Sequence, residues 1–161
     1  MQPEKDPYPS AKEHALKRLE RRECSSQDIY QHLIQKKVMP EIATRVVSDL
    51  TKLKLINDER FARMLTREQA SRGKGPNYIR QKLRNKGVSL NVDQIREISE
   101  ETTHLTELDA AKAILERRYP RAALDRKEAM RAFQGLLRRG YSFSVTQEAL
   151  RAQKCIEDKD I

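Results

Sequence analysis

The chain has 161 residues, of which 37% are hydrophobic and 35% are charged, and its formal net charge is +9. It contains no tryptophan and only 5 glycines, and helix-forming residues predominate, so the composition favours an all-α fold over a β-rich one. No apolar run approaches the roughly 18 residues that a membrane span needs. Cys24 and Cys155 form no CxxC pair, so we expect a cytoplasmic protein with two incidental thiols.

The first predicted unit covers residues 10–56 and follows a leader, residues 1–9, that we expect to be disordered. A capping box of Ser10 and Glu13 predicts the start of its first helix. A second helix is predicted from about Ser26 to the Lys36–Lys37 pair, and a third from Pro40, because proline suits the first turn of a helix. Apolar residues at helical spacing predict the inward faces: Ala15, Leu16, Leu19, Ile29, Leu33, Val46, Val47, Leu50 and Leu53.

The same three-helix pattern recurs in residues 57–104 and 105–153, and residues 154–161 are predicted to be a polar tail. In the second unit we predict helix starts at Asn57–Asp58, at Gly75–Pro76 and at Ser89. In the third unit a capping box of Thr106 and Asp109 predicts one start, and Ser144 another. The predicted inward residues of the second unit are Phe61, Met64, Leu65, Ile79, Leu83, Val92, Ile95 and Ile98. Those of the third are Ala110, Ile114, Leu115, Met130, Phe133, Leu136, Leu137, Val145, Ala149 and Leu150.

Matching anchors indicate a repeat of about 50 residues. In each unit a leucine is followed five residues later by an apolar residue: Leu33 and Val38, Leu83 and Val88, Leu136 and Tyr141. A unit of this size buries little apolar surface alone, so neighbouring units should share their cores. The sequence therefore predicts an all-α fold of three tandem three-helix, helix-turn-helix-like repeats in an elongated arrangement.

Nearly all of the excess positive charge lies in residues 60–87, which hold 9 Lys and Arg residues and 1 acidic residue, Glu68. Residues 1–59 hold 11 basic and 10 acidic residues, and residues 88–161 hold 13 of each. Charge concentrated in one segment attracts a polyanion or an acidic protein surface. An alternative is a solvated face without a partner, which is common for charge runs, although the scarcity of carboxylates here argues against it.

Helical projection predicts which of these cations face solvent. Arg60, Arg63 and Arg67 fall on the side of their helix opposite Phe61 and Leu65. On the next helix Arg80 and Arg84 lie four apart on one flank, with Lys82 on the other and Lys86 at the end. A flexible basic turn, residues 71–76, is predicted to join the two helices. The candidate partner-binding and nucleic-acid-binding residues are Arg60, Arg63, Arg67, Arg72, Lys74, Tyr78, Arg80, Lys82, Arg84 and Lys86.

Two of these candidates also have structural interpretations. Lys86, like the basic pairs Lys36–Lys37 and Arg138–Arg139 of the other units, sits where a cation complements a helix C-terminus. Tyr78 could stack on a base, although a tyrosine near a helix start more often packs against the protein.

No residue pattern indicates catalysis, so we predict a protein that is not an enzyme. Gly73–Gly75 is no phosphate-binding loop, because the full motif and its preceding strand are missing. His14, His32 and His104 share no metal-ligand spacing and are predicted to lie on helix surfaces. No carboxylate sits in an apolar stretch that would raise its pKa for acid–base chemistry.

Several short motifs, in this order, resemble the RecX family over roughly residues 11–153. They are Arg22-Glu23-x-Ser25, Asp58-Glu-Arg-Phe-Ala62, Arg72-Gly-Lys-Gly75, Ile79-Arg-Gln-Lys-Leu83, Lys86-Gly87-Val88 and Leu137-Arg-Arg-Gly-Tyr141. Two departures are Lys36–Lys37, where the family commonly has Lys-Gly, and Met64–Leu65, where an aromatic residue is frequent.

The resemblance implies a bacterial regulator that binds RecA and restrains its recombinase and coprotease activities. It implies a modular, curved all-α monomer lying in the groove of the RecA–DNA filament, with no cofactor and no catalytic residues. Single- and double-stranded DNA would bind weakly through phosphates, and no membrane is involved. Whether RecA is inhibited or stimulated is left open.

Two other functions compete with this one. A helix-turn-helix unit could bind DNA directly as a regulator, but the third helices of the second and third units, predicted at residues 89–101 and 144–152, are acidic or nearly neutral. Base reading favours Arg, Asn or Gln in the first turns of such a helix. The third possibility is a passive adaptor for an acidic protein.

Overall fold

Helices account for most of the chain in this computed structural model, which describes residues 6–157, with side chains as far as Lys154. Nine α-helices and no strands occur in that range. The helices are α1 Pro7–Arg21, α2 Ser26–Gln35, α3 Pro40–Lys52, α4 Asp58–Ser71, α5 Pro76–Arg84, α6 Val92–Thr103, α7 Glu107–Arg118, α8 Arg126–Arg138 and α9 Phe143–Glu157. The all-α class predicted from the sequence is confirmed.

The chain divides into two compact units, and neither is a single continuous stretch of the sequence. From here on, the first unit and the second unit mean these two, not the three units predicted from the sequence. The first contains the described residues up to Ala62 together with Asn85–Val88. The second contains Arg63–Arg84 and the described residues from Ser89 onward. Within the described residues, no helix combines the length and apolar content that crossing a bilayer requires.

In the first unit, α1, α2 and α3 pack around one apolar core. The predicted inward residues Ala15, Ile29, Leu33, Val46 and Leu50 are fully buried there, and each large aliphatic side chain so buried contributes about 1.5–3 kcal/mol. Leu16, Leu19 and Val47 pack half-buried against this core. The prediction for Leu53 is wrong: it is the C-cap of α3 and is 59% exposed, because the helix has ended before the core does.

The start of α1 differs from the prediction. The helix begins at Pro7, with the Asp6 side chain accepting a hydrogen bond from the Tyr8 backbone N–H at 3.0 Å. Ser10 therefore lies inside the helix, and Glu13 pairs with Lys17 instead of completing a capping box. The predicted leader thus overlaps α1 at residues 7–9, and its residues 1–5 lie outside the described range.

In the second unit, α5 packs against α6, while α7, α8 and α9 surround a further apolar core. Ile79, Leu83, Ile95 and Ile98 are buried as predicted. The core between α7, α8 and α9 contains further predicted residues, Ile114, Leu115, Leu136 and Ala149. Two predicted core residues are instead exposed, Met64 at 37% and Met130 at 58%.

Two of the predicted helix starts also shift along the chain. α6 begins at Val92, not Ser89, because Asn91 and Gln94 form the capping box. α9 begins at Phe143, where the Ser142 hydroxyl accepts a hydrogen bond from the Val145 N–H at 3.2 Å, so Ser144 is not its cap. α9 also continues into the predicted tail as far as Glu157, and residues 158–161 lie outside the described range.

The turns after α2 and α8 have the same geometry. This agrees with the predicted correspondence of Leu33 and Val38 with Leu136 and Tyr141. The Val38 N–H donates to the Leu33 carbonyl at 3.1 Å, and the Tyr141 N–H donates to the Leu136 carbonyl at 3.2 Å. Lys37, with φ +62°, takes the left-handed conformation that Gly140 takes with φ +92°. The turn after α2 therefore forms with a lysine at the position where the turn after α8 has a glycine, the residue that adopts this conformation without steric cost.

Candidate functional site

The ten candidate residues are distributed over both units. Arg60 and Lys86 belong to the first unit, and the other eight lie between Arg63 and Arg84 in the second. The two groups are described separately below.

Arg60 and Lys86 are each engaged by an acidic side chain of the first unit. Arg60 places Nε 2.8 Å and Nη2 2.7 Å from Glu23 Oε1. Lys86 Nζ lies 2.8 Å from Asp28 Oδ1, with only 35% of the lysine side chain exposed. Ion pairs of this partly exposed kind contribute up to about 1 kcal/mol each. Both cations therefore have a structural partner, and for Lys86 that partner is a carboxylate, whereas the structural interpretation from the sequence was a helix C-terminus.

The α4 cations of the second unit lie on its outer side. Arg63 and Arg67 are exposed, whereas Leu65, Thr66 and Gln69 on the same helix are buried. Arg72, just beyond the helix, forms an ion pair with Glu68, 2.7 Å between Nη2 and Oε1. Since both side chains of that pair are largely exposed, solvent screens the interaction and leaves the local field positive.

The cations of α5 and of the turn before it form two groups. Arg80 and Arg84 are both exposed and lie four residues apart. In the other group Lys74 Nζ lies 4.3 Å from the centre of the Tyr78 ring, and Lys82 Nζ lies 5.7 Å from it. These are cation–π distances. A base that stacks on Tyr78 would have to share the ring with these two ammonium groups or displace them.

The turn between α4 and α5 is fixed by hydrogen bonds, in contrast to the flexible turn predicted from its sequence. The Gly75 N–H donates to the Arg139 carbonyl at 2.8 Å, and the Asn77 N–H donates to the Gly140 carbonyl at 3.0 Å. Within the turn, the Gly73 N–H donates to the Ala70 carbonyl at 2.8 Å. The turn therefore presents Arg72 and Lys74 from an anchored backbone.

Two residues of the α8–α9 turn complete this region and were not among the candidates. Arg139 Nη1 and the Tyr141 hydroxyl each lie 3.4 Å from the Gly73 carbonyl oxygen. Burial raises the pKa of Tyr141 to about 12, so its hydroxyl remains a donor at neutral pH. Arg139 was interpreted from sequence only as a helix-terminal cation; its contact with Gly73 joins segments 66 residues apart, and no local pattern reveals such a contact.

Substitution of Gly75 tests this anchoring. A Cβ atom at position 75 would lie 2.6 Å from the Gly140 carbonyl carbon and the Tyr141 nitrogen. Because both are backbone atoms, we expect Gly75→Ala to lower the free energy of unfolding by about 1–3 kcal/mol, as overpacking does. Urea denaturation would measure this loss.

Gly73→Asn is the matched control for that substitution. Gly73 has φ +70°, which asparagine tolerates, and a Cβ there would make only an ordinary 3.4 Å contact with Ile114. We expect a smaller loss of stability than in Gly75→Ala. Equal losses in the two variants would show that the close backbone approach at Gly75 is not what fixes the turn.

The structure presents no metal cluster among the residues it describes: no group of three or more His, Cys, Asp or Glu side chains is placed to hold an ion. Cys24 is a buried free thiol, and the Cys155 side chain lies outside the described range. His14 and His32, predicted as unrelated surface residues, line one cleft in the first unit.

Comparison with known proteins identifies the family. The family model for the second three-helix domain of RecX matches residues 57–92, and the model for the third matches residues 106–150. The regulatory protein RecX of Halorhodospira halophila is 33% identical over 153 residues, covering 94% of this chain and 90% of the relative. The chain belongs to the RecX family. The RecX protein of Leptothrix cholodnii is 30% identical over 154 residues, with 96% of each chain covered.

Solved RecX structures share the fold. The crystal structure of RecX from Lactobacillus salivarius superposes with a TM-score of 0.74, covering 93% of this chain and 98% of that one, at 20% identity. The resemblance predicted from short motifs is therefore confirmed at the level of the family, and a regulatory role follows from it.

Proposed function

We propose that this RecX-family chain regulates RecA by binding the RecA–DNA filament and inhibiting its recombinase and coprotease activities. The observation that carries the proposal is the concentration of seven exposed or half-buried cations in residues 63–84 of the second unit. We call this group the 63–84 surface; it consists of Arg63, Arg67, Arg72, Lys74, Arg80, Lys82 and Arg84. A RecA–DNA filament is strongly anionic, so a surface of this charge is attracted to it at long range.

The packing beneath the 63–84 surface supports a binding role. Its helices are held by buried residues such as Leu65, Ile79 and Leu83, and its turn is hydrogen-bonded to Arg139 and Gly140. A fixed array of cations loses less conformational entropy on binding than a flexible one does. The surface thus combines charge with preorganisation, and it requires neither a cofactor nor a catalytic residue.

The alternative is a helix-turn-helix regulator that reads DNA bases directly. The residues of α6 and α3, each the last helix of a predicted three-helix unit, argue against it. In α6 the amides of Asn91 and Gln94 are used by the capping box, and Asp93 in the first turn is acidic. In α3 Arg45 lies 4.6 Å from the centre of the Tyr8 ring. Groups that direct readout would need are therefore committed to the fold or carry the wrong charge.

A pull-down from a bacterial lysate separates these functions and the adaptor hypothesis. If the proposal holds, RecA is retained by the immobilised chain, and nuclease treatment reduces its retention. A direct DNA-binding regulator would retain DNA and lose its protein partners entirely after nuclease treatment. A passive adaptor would retain an acidic protein other than RecA regardless of nuclease.

We expect DNA binding by the 63–84 surface to be weak, tolerant of sequence and sensitive to salt. If about five of its cations meet phosphates of a single strand, the slope of log K against log salt should be roughly −3 to −4. Replacing Arg67, Arg80 and Arg84 with Gln should flatten that slope by roughly 2, since three contacts are lost. Fluorescence anisotropy on labelled oligonucleotides at several salt concentrations measures it.

Arg60→Gln is the control for that experiment, because the Arg60 guanidinium is already engaged by Glu23. It should leave the slope nearly unchanged. A strong preference for one sequence, or a slope that does not respond to the triple substitution, would contradict the proposed mode of DNA binding.

A further inference from the structure

The first unit contains a cleft lined entirely by basic residues. Its volume is about 190 Å³, which leaves room for several water-sized volumes of about 30 Å³. α1 contributes four lining residues and the end of α2 contributes two: His14, Lys17, Arg18, Arg21, His32 and Lys36. Side chains of like charge repel one another, so their convergence on one cleft calls for a physical explanation.

A buried donor belongs to one of the residues that line the cleft. Arg18 Nε is shielded from solvent and has no hydrogen-bond acceptor within the described part of the chain. A buried polar group without a partner costs about 1–3 kcal/mol, and more when it is charged. Native proteins seldom leave such a group unsatisfied, and a small rotation of the Arg18 side chain would bring this nitrogen to an acceptor bound in the cleft.

The pKa of His32 is affected by the positive charges of the cleft. Burial lowers the pKa of His32, and the positive charges of Arg18, Lys36 and His14 lower it further. An anion in the cleft would oppose both the repulsion among these charges and the lowering of this pKa.

Helix dipoles explain part of this arrangement. Arg18 and Arg21 lie in the last turn of α1, and His32 lies in the last turn of α2, where cations are favoured. Lys17 has its own partner in Glu13, at 2.7 Å. These local effects account for each cation on its own helix, but not for the unsatisfied guanidinium nitrogen of Arg18.

We propose that this cleft is an anion site that binds a phosphate group, with Arg18 as its central donor and Arg21, His32 and Lys36 around it. A guanidinium presents several N–H donors in a geometry that matches phosphate oxygens. The phosphate can come from the backbone of a nucleic-acid strand or from free inorganic phosphate. The site lies in the first unit and shares no residue with the 63–84 surface, so it can be tested without RecA.

Histidine NMR on the full chain tests this site, with inorganic phosphate and a short oligothymidylate as separate probes and RecA absent. Phosphate bound in the cleft should shift the ring signals of His14 and His32. It should also raise the pKa of His32, because an anion stabilises the protonated imidazole. His104, an exposed residue of the second unit, serves as the internal reference and should not move.

Two variants identify the donors. Arg18→Met keeps the aliphatic stem but removes the guanidinium, and Arg21→Gln with Lys36→Gln alters exposed positions whose loss the fold tolerates. Each should weaken the phosphate-dependent shift at His32 by about tenfold or more in apparent affinity, which is the loss of about 1.4 kcal/mol. The control, Lys52→Gln with Lys54→Gln, removes two exposed cations of the same unit outside the cleft and should bind as the wild type does.

The outcomes separate the sources of the phosphate. A response to both probes, or to the oligonucleotide alone, supports a site for a nucleic-acid strand, and a response to inorganic phosphate alone supports a free-phosphate site. The proposal is overturned if neither probe shifts His32 more than His104. It is equally overturned if the cleft variants and the Lys52/Lys54 control respond alike.

Discussion

Replacing Arg72, Lys74, Arg80 and Arg84 together with Glu should abolish inhibition of RecA ATPase and strand exchange at concentrations where the wild type inhibits fully. Four reversals of two charges each take the net charge from +9 to +1, and they reverse the field where the anionic filament is proposed to dock. Assays of DNA-dependent ATP hydrolysis and strand exchange at increasing concentrations of the variant measure the effect.

The fold should survive these four substitutions. Arg72, Arg80 and Arg84 are exposed, and Lys74 is half-buried with its ammonium group over the Tyr78 ring. Losing that cation–π contact costs about 0.5–1 kcal/mol, and exposed substitutions usually cost less. The helical circular dichroism signal should therefore remain, so that loss of inhibition can be attributed to charge.

A second four-Glu variant in the same unit provides the matched control. Arg121, Arg126, Lys127 and Arg131 are all exposed, and their reversal changes the net charge by the same amount. Arg126 and Lys127 lie in the first turn of α8, where a carboxylate is favourable. This control should still inhibit RecA. If both variants inhibit like the wild type, the 63–84 surface does not bind the filament; if both fail, net charge alone determines binding.

Hydrophobic spacing predicted most of the core because apolar residues define the buried face of most helices. It failed on α4, where the buried face includes the polar residues Thr66 and Gln69. At about 100° per residue, a buried face that includes Thr66 and Gln69 is centred farther from Met64 than a face drawn through Phe61 and Leu65 alone. The exposure of Arg63 and Arg67 was predicted correctly, because both residues lie on the side of α4 away from the predicted buried face and also away from the observed one.

On α8 the error has a different cause. Its buried residues include Ala132 and Gly135, small side chains that allow another segment to approach closely. A Cβ atom on Gly135 would lie 2.3 Å from the Tyr119 hydroxyl oxygen. The buried face of the helix therefore includes small residues, and Met130 points about 160° away from Ala132. The sequence prediction placed Met130 in the core because methionine is apolar.

Features that depend on pairing between distant segments could not be predicted from local patterns. The anchoring of Gly75 on Arg139 and the cleft that joins His14 to His32 both require the tertiary fold. The charge of residues 60–87, by contrast, was evident from composition alone. The structure adds to it the division between cations that are paired within the first unit and the 63–84 surface of the second.

Leu50→Ala and Leu53→Ala form a pair that separates burial from sequence pattern. Both leucines occupy inward positions of the α3 pattern, yet Leu50 is 0% exposed and Leu53 is 59% exposed. Removing a buried leucine side chain loses its transfer free energy and leaves a cavity, so Leu50→Ala should lower the free energy of unfolding by about 2–5 kcal/mol. Leu53→Ala should change it by no more than about 0.5 kcal/mol, as exposed substitutions do.

Urea denaturation followed by circular dichroism measures both variants under the same conditions. Leu50→Met, which conserves volume, should lose less than about 1.5 kcal/mol and so separates the cavity from any change of side-chain shape. Because Leu50 belongs to the core of the first unit, Leu50→Ala should leave the charges of the 63–84 surface in place while it raises the unfolded fraction. Similar losses for Leu50→Ala and Leu53→Ala would mean that Leu53 stabilises the core despite its exposure.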